Sequence, residues 1–301
     1  MQTQPKIGVD NEAIRPTVRG RRRLSLVADN PSPPRDGGNK LGAQLFRDGY
    51  VAVGACDIGS AALQAKAIRE LQAAGRDLPI DPYCAGGFRY RRYARLFLLP
   101  WADAITPAPT EWDESGQYPA FTYQQPAALN SDEQGSARRF PAVAPSVLSS
   151  DWMEHIIRFD FAQLRFTAAE LSGPIQIGIH IVELRPRPGV PAVASPNRVH
   201  RDGEHYTCAH LVERHGVTGG ENHIVDPEWA DHEIDRVPRG AIRSEFVLEN
   251  PLDGYIVRDD RVAHHVAGVS LAPGVETGSR TILLIDFTPM QPYVLLRPAA
   301  A

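Results

Sequence analysis

Apolar and polar positions alternate at two different periods along this chain, and the change of period divides it. LFRDGYVAVGA, residues 45–55, alternates apolar and polar residues and predicts a strand. SAALQAKAIRELQAAG, residues 60–75, repeats Ala, Leu and Ile at helical spacing and meets a stop signal in Gly75. DWMEHIIRFDFAQLRFTAAEL, residues 151–171, predicts a second helix. Asp151 is its expected N-cap, Glu154 the partner in a capping box, and Gly173-Pro174 the end of the run.

From Gln176 onward the period is two. QIGIHIVELRP, HYTCAHLVERH, SEFVLEN, YIVRDDRVAHHVAGVSL and RTILLIDF all predict strands, punctuated by Gly and Pro. TGGEN, Thr218 to Asn222, predicts a tight loop between two of them. Many short strands with few helices between them predict a mainly β fold with flanking helices. A jelly roll is the natural form of such a fold, and the upstream helices are then expected to cover the outside of one sheet. No internal repeat recurs at a fixed period.

Composition changes this picture at the N-terminus. Residues 1–40 are rich in Arg, Pro, Gly and Asn and end in NPSPPRDGGNK, which cannot bury enough apolar surface to offset ordering entropy. They are expected to form a flexible arm, with residues 41–301 as a single jelly-roll domain. Arg19, Arg21, Arg22 and Arg23 cluster within that arm without interleaved aromatics, so a solvated tail is expected there. A net charge of −4 gives no reason to expect nucleic acid or an anionic membrane as a partner. Cys56, Cys84 and Cys208 are odd in number and widely separated, which is not a disulfide framework and suits a reducing cytoplasm. No run approaches the ~20 apolar residues of a membrane span, and the basic Arg15–Arg23 stretch lacks a secretory apolar core. Neither export nor anchoring is expected. Monomer and homodimer both remain open.

Candidate chemistry concentrates in the strand-rich half, where eight of the ten histidines lie between His200 and His265. His200-Arg201-Asp202 sets an imidazole and a carboxylate two residues apart, which on a strand would place both on one face. Gly203 follows and permits a sharp bend. In DDRVAHHVAGVSL, His264 and His265 are adjacent and point to opposite faces of a strand, so only one can join them. Two histidines and one carboxylate would occupy one side of a metal and leave the other open, the pattern of non-haem Fe(II) oxygenases. Zinc hydrolases and lyases also use such sets, so the ligand types leave the metal open. Arg280 shares a strand face with Ile282 and Leu284. An inward guanidinium needs an anion, and it pairs bidentately with a carboxylate.

The order HRDGEHYTCAHLVERHGVTGGEN, DDRVAHHVAGVSL, SRTILLIDF resembles one family of 2-oxoglutarate/Fe(II) dioxygenases. It is the family containing L-isoleucine 4-hydroxylase and related free amino-acid hydroxylases. The upstream FRYRRYARLFLLP, Phe88 to Pro100, is similar to that family's Arg- and Tyr-rich segment, and the resemblance spans about Leu41 to Phe287. It implies a double-stranded β-helix, the cupin-like jelly roll, with Fe(II), 2-oxoglutarate and O2. By position it implies His200, Asp202 and His264 as iron ligands, since Arg261 to Val266 matches the family's R-x-x-H-x-V. It implies Arg280 as the clamp on the distal carboxylate of 2-oxoglutarate. The step from His264 to Arg280 through LAPGVETG is longer than the family's, as an insertion in that loop would make it.

The resemblance further implies hydroxylation of an unactivated C–H bond with release of succinate and CO2. Asp202 argues against halogenation, because related halogenases carry a small residue there. A small-molecule substrate is expected, an amino acid first. Arg89, Arg91, Arg92 and Arg95 offer bases for its carboxylate, with Arg89 and Arg91 on one strand face and Arg92 on the other. Glu204, Glu221 and Asp226 follow the metal motif as candidate pocket acids. The alternatives are a dioxygenase acting on a peptide or carrier-tethered residue, a zinc hydrolase or lyase on the same scaffold, and a non-catalytic cupin-like binding module.

Overall fold

A computed structural model describes residues 39–290, apart from 114, 127, 128 and 130–134. Of the expected arm, residues 1–40, only Asn39 and Lys40 are described, and the rest lies outside the described residues. Asn39 caps the first helix, α1 (Lys40–Asp48), by accepting from the Gly42 N–H at 2.9 Å. Gly49 ends it at φ 83°, its N–H donating to the Leu45 carbonyl at 2.9 Å. This corrects the strand expected from Leu45. The two caps draw Leu45 to Asp48 into helix, and strand β1 is only Tyr50–Val53.

Next come α2 (Ala55–Ile58) and α3 (Ala61–Gly75), the latter capped by the Ser60 hydroxyl. Strands β2 (Arg89–Leu99), β3 (Ala104–Pro107), β4 (Glu111–Trp112), β5 (Pro119–Tyr123) and β6 (Arg138–Pro141) follow. Helices α4 (Pro145–Leu148) and α5 (Asp151–Gln163) lead into β7 (Ile175–Leu184). The N-cap of α5 is Ser150, whose hydroxyl accepts from Met153 N–H, and not the expected Asp151. The helix also stops eight residues earlier than expected, at Gln163, with Leu164 already extended at its C-cap. Apolar residues continue in register beyond that point because Phe166 folds back on Phe161, not because the helix continues.

The second half contributes β8 (Tyr206–His215), β9 (Val217–Gly219), β10 (Asn222–Val225), β11 (Ile242–Phe246), β12 (Gly254–Arg258), β13 (Ala263–Val266), β14 (Val269–Leu271) and β15 (Ser279–Pro289). The long alternating run Tyr255–Leu271 is therefore three strands and not one. Arg261 N–H donates to the Arg258 carbonyl at 3.0 Å in a turn after β12, and Ala267 N–H leaves the strand line for Glu221 at 2.8 Å. β12 and β13 are buried at every position but the last, on both faces, so their burial does not mark where the chain changes sheet.

Seven antiparallel strands form the main sheet in the order β1-β12-β8-β15-β7-β2-β3. β11-β10-β13 and β14-β9 form two smaller sheets, and β4-β5-β6 a third. The fold is mainly β, and the chain takes the double-stranded β-helix (jelly-roll) form. Helix α3 packs on β8 and β7, and α1 on β1 and β12. Strand parity explains what each face buries. Ile175, Ile177, Ile179 and Ile181 of β7 join Leu283, Ile285 and Phe287 of β15 in one core with Trp152, Met153 and Ile156 of α5. Each such side chain contributes ~1.5–3 kcal/mol when fully buried. The alternate residues, His180, Val182 and Leu184 with Ile282, Leu284 and Asp286, turn into a cavity on the opposite face. A fully buried hydrogen bond adds to the attachment of α5, between Asp160 and His210 Nε2 on β8 at 3.0 Å. No helix among the described residues is long and apolar enough to cross a membrane.

Candidate active site

The cavity on the inner face of the main sheet has a volume of about 130 Å³. His200, Asp202 and His264 meet beside it. Their donor atoms all lie within 4.8 Å of one another, and they are the one such cluster of three among the described residues. His200 Nε2 is 3.5 Å from Asp202 Oδ1, and His264 Nε2 is 3.5 Å from Asp202 Oδ2. The two imidazoles are held across a backbone bridge. His200 N–H donates to the His264 carbonyl at 2.8 Å, and His264 N–H returns to His200 at 2.9 Å.

The convergence does not arise as the strand argument expects. His200 forms only an isolated bridge, and Asp202 and Gly203 lie in an irregular loop with Gly203 at φ 86°. Asp202 reaches the histidines because that loop is clamped from behind. Both oxygens of buried Asp259 accept backbone N–H bonds, from Asp202 at 2.7 Å and from Gly203 at 2.8 Å. Gln125 donates to the Asp202 carbonyl at 3.0 Å, and the Thr207 hydroxyl donates to Asp202 Oδ2 at 2.8 Å. The alternation argument does hold at the adjacent pair. His264 faces His200, whereas His265 faces away onto His223.

The donor set fits a divalent cation. His200 Nδ1 lies 2.8 Å from the Arg198 carbonyl, which can only accept, so this nitrogen carries the proton. Nε2 is then the atom left facing the carboxylate oxygen, a place where a cation can stand instead of a proton. Burial would raise the Asp202 carboxyl, but His264, His200 and Thr207 hold it well below the usual range. Burial pushes His264 down to about 4, which keeps its lone pair available. Burial also acts to lower His200, but Asp202 more than offsets it and leaves that imidazole raised.

Arg280 lies at the start of β15 on the wall of the same cavity, only 4% exposed. Its Nε has no hydrogen-bond partner among the described residues, and burial pushes its pKa down to about 10. The expected TGGEN loop packs behind it. Gly219 and Gly220 adopt φ of 82° and 78°, and a Cβ on Gly220 would stand 3.3 Å from Arg280 Cδ. The long His264–Arg280 step is taken up by β14, paired with β9, and the turn that follows it.

Among the upstream arginines, Arg89 and Arg91 line the cavity and Arg92 turns away to the Ala142 carbonyl, 3.1 Å distant. Arg95 donates to the Thr122 carbonyl at 2.8 Å. Arg89 is neutralised by buried Asp81 at 2.6 Å. Of the three candidate acids, Glu204 lines the cavity, while Asp226 pairs with Arg243 and Glu221 contributes no wall. Sequence reasoning missed His180, Asp286, Thr207, Asp259 and Gln125. One signal was present: Asp286 is the lone acid in RTILLIDF and shares the face of Arg280, Ile282 and Leu284. Asp259 gives none, because its partners are 56 and 57 residues away.

The sequence matches the model of a family described as 2OG-Fe dioxygenase over residues 72–286, which takes in every residue of the cluster and Arg280. The chain belongs to that family. Its members use Fe(II), 2-oxoglutarate and O2. The 3(1)-hydroxy-L-isoleucine 4-dioxygenase of Pantoea ananatis is 27% identical over 227 residues, covering 73% of this chain and 80% of that protein. Two solved structures share the fold. The crystal structure of IDO from Bacillus thuringiensis superposes with a TM-score of 0.63 at 20% identity, covering 84% of this chain and 95% of that one. A bsmA homologue from Methylobium petroleophilum PM1 gives 0.64 at 18% identity, covering 82% and 91%.

Proposed function

We propose that this dioxygenase hydroxylates an unactivated C–H bond of a free L-amino acid or amino-acid-like small molecule, with release of succinate and CO2. His200, Asp202 and His264 hold the iron in this reading, and Arg280 holds the distal carboxylate of 2-oxoglutarate. Residues 41–301 form the catalytic domain, with residues 1–40 as an arm outside it. One observation carries the reading. A cluster of two buried imidazoles and a half-buried carboxylate, and a buried guanidinium whose Nε has no partner among the described residues, border one cavity. Each lacks a charge that ferrous iron and a dicarboxylate would supply.

The bound iron and 2-oxoglutarate supply oxidative decarboxylation coupled to hydroxylation: 2-oxoglutarate, O2 and R–H become succinate, CO2 and R–OH. The protein's part is to hold and to aim. Asp259, Thr207 and Gln125 fix the Asp202 loop, and the Arg198 carbonyl fixes the His200 tautomer. Ile282, Leu284, Val182 and Ala209 give the cavity apolar walls. The Pantoea relative, by its name, acts on a hydroxylated isoleucine, which supports the amino-acid class.

The test is an anaerobic ultraviolet-visible titration of the metal-free protein with Fe(II) and 2-oxoglutarate. A weak visible charge-transfer band that needs both is the expected result. Tight zinc binding with no such band would overturn the reading in favour of a hydrolase or lyase. Amino acids are then screened for coupled succinate formation, and a substrate found only among carrier-linked or peptide forms would overturn the free amino-acid assignment.

A further inference from the structure

Arg280 is not the sole guanidinium left without an anion in this cavity. Arg91 of β2 is 8% exposed and lines the same wall, two strands away from β15 across β7. Among the described residues it forms no ion pair with a carboxylate, and its Nε has no hydrogen-bond partner. Its one side-chain hydrogen bond among the described residues runs from Nη2 to Nδ1 of His180. That bond settles the imidazole. Arg91 can only donate, so Nδ1 accepts, and the proton is on Nε2, which donates to Asp286 Oδ2 at 2.9 Å. Burial, with Arg91 next, drives His180 well below its ordinary value, so it remains a neutral bridge. The rings of Phe140 and Tyr123, at 4.3 and 5.3 Å, offer Arg91 a further weak attraction. A buried guanidinium satisfied only by an imidazole and ring faces still has donors to offer an anion.

Two carboxylates stand on the same cavity wall. Asp286 is held over Gly178, where a Cβ would come within 2.1 Å of Oδ2, and it accepts from the Gly178 N–H at 3.0 Å. Glu204 leans on Thr288, two residues along β15 from Asp286, and takes a hydrogen bond from its hydroxyl. No cation pairs with either in an ion pair among the described residues apart from the neutral His180 contact. The cavity therefore presents, away from Arg280 along the strands, a guanidinium with no carboxylate partner and an acidic pair with no cation partner among the described residues.

We propose, resting on the dioxygenase reading above, that Arg91 and the Glu204–Asp286 pair form the subsite for the two charged ends of the substrate. Arg91 receives its α-carboxylate and Glu204 with Asp286 its ammonium group. The substrate is thus unblocked at both ends, which sets a free amino acid apart from an N-acylated, amidated or carrier-linked residue. Arg280 and the metal cluster face the co-substrate, and the zwitterion sets its carboxylate against Arg91 and its ammonium against the acidic pair.

The test uses the full chain loaded anaerobically with Fe(II) and 2-oxoglutarate. The twenty proteinogenic L-amino acids are titrated by calorimetry in free, N-acetyl and C-amide forms, and the same panel is then assayed in air for succinate. At least one free form is expected to bind and to drive succinate formation, with both blocked forms at least about 10-fold weaker, as loss of one charged hydrogen bond implies. Arg91→Gln should weaken that amino acid about 30-fold or more while the ferrous–2-oxoglutarate band still forms, and Arg91→Lys should recover part of the loss. Glu204→Gln should weaken the amino acid but not its deamino analogue, a difference that general loosening of the fold would not produce. Blocked forms bound as well as free ones would overturn the proposal and leave the dioxygenase standing. So would Arg91→Gln acting on 2-oxoglutarate affinity and not on the amino acid, or no binding by any form. Absence of the ferrous–2-oxoglutarate band in the wild type sinks the dioxygenase reading itself, and this proposal with it.

Discussion

Replacing Arg280 by methionine is expected to act in opposite directions on the empty and the loaded protein. The guanidinium is 4% exposed, and burial pushes its pKa from 12.5 to about 10. At ~1.36 kcal/mol per unit this depression corresponds to about 3 kcal/mol disfavouring the charged form, an upper measure of what the empty protein loses by burying it. Methionine has a similar length and no charge, so Arg280→Met should leave the empty protein as stable as wild type or up to about 3 kcal/mol more stable. The loaded protein should lose. Two charge-assisted hydrogen bonds to a carboxylate contribute ~1.5–3 kcal/mol each, so 2-oxoglutarate should bind about 100-fold more weakly or worse. Urea unfolding with Fe(II), with and without 2-oxoglutarate, reads both effects in one experiment. At a concentration 100 times the wild-type Kd, the ligand adds about 2.7 kcal/mol to wild type and about 0.4 kcal/mol to a variant weakened 100-fold. A variant that loses more than about 1 kcal/mol when empty, yet keeps the full ligand increment, would show Arg280 to be a structural cation.

Three further outcomes are expected. Asp259→Ala frees the loop that presents Asp202 and should weaken Fe(II) binding about 10- to 100-fold in a chelator competition, with Asp259→Asn intermediate; unchanged affinity would refute the clamp. His264→Ala should abolish tight metal binding while His265→Ala leaves it within about 3-fold, and the reverse pattern would move the ligand to the neighbouring position. Burial, reinforced by the charge of Asp202, raises Asp286 to about 7, so the native state keeps a proton that the unfolded chain releases near ~3.9. The stability this contributes to the metal-free protein is complete below about pH 4 and is lost as pH rises through about 7. Asp286→Asn should flatten the urea midpoint over that window, and an identical profile would refute the shift.

The alternation of apolar residues was sufficient to identify a mainly β chain, because a strand with one buried face must repeat at two whatever it pairs with. Its breaks were less legible. Capping overrode alternation at Leu45–Asp48, and burial on both faces of β12 and β13 left the change of sheet between them unmarked. The histidine pair is the clearest success of local reasoning, since adjacent strand residues point apart and the structure turns His264 and His265 to opposite sides. The H-x-D argument reached the right neighbours for an incomplete reason. Two-residue spacing suggested a shared strand face, yet Asp202 lies in a loop held by Asp259 and Thr207.

What the chain determined by itself is therefore whatever depends on nearest neighbours: helix spacing, strand parity, and the residue types able to hold a metal or a carboxylate. Tertiary structure alone decided which of Arg89, Arg91, Arg92 and Arg95 keeps free donors on the cavity wall. Asp81 neutralises Arg89, Arg92 faces the other side of the sheet, and Arg95 donates to the Thr122 carbonyl and does not line the cavity. It likewise decided that Asp286 stands beside His180, 106 residues distant in sequence. The reason is physical. Whether a buried charge is structural or available depends on what neutralises it, and those partners arrive from strands adjacent in the sheet but remote along the chain.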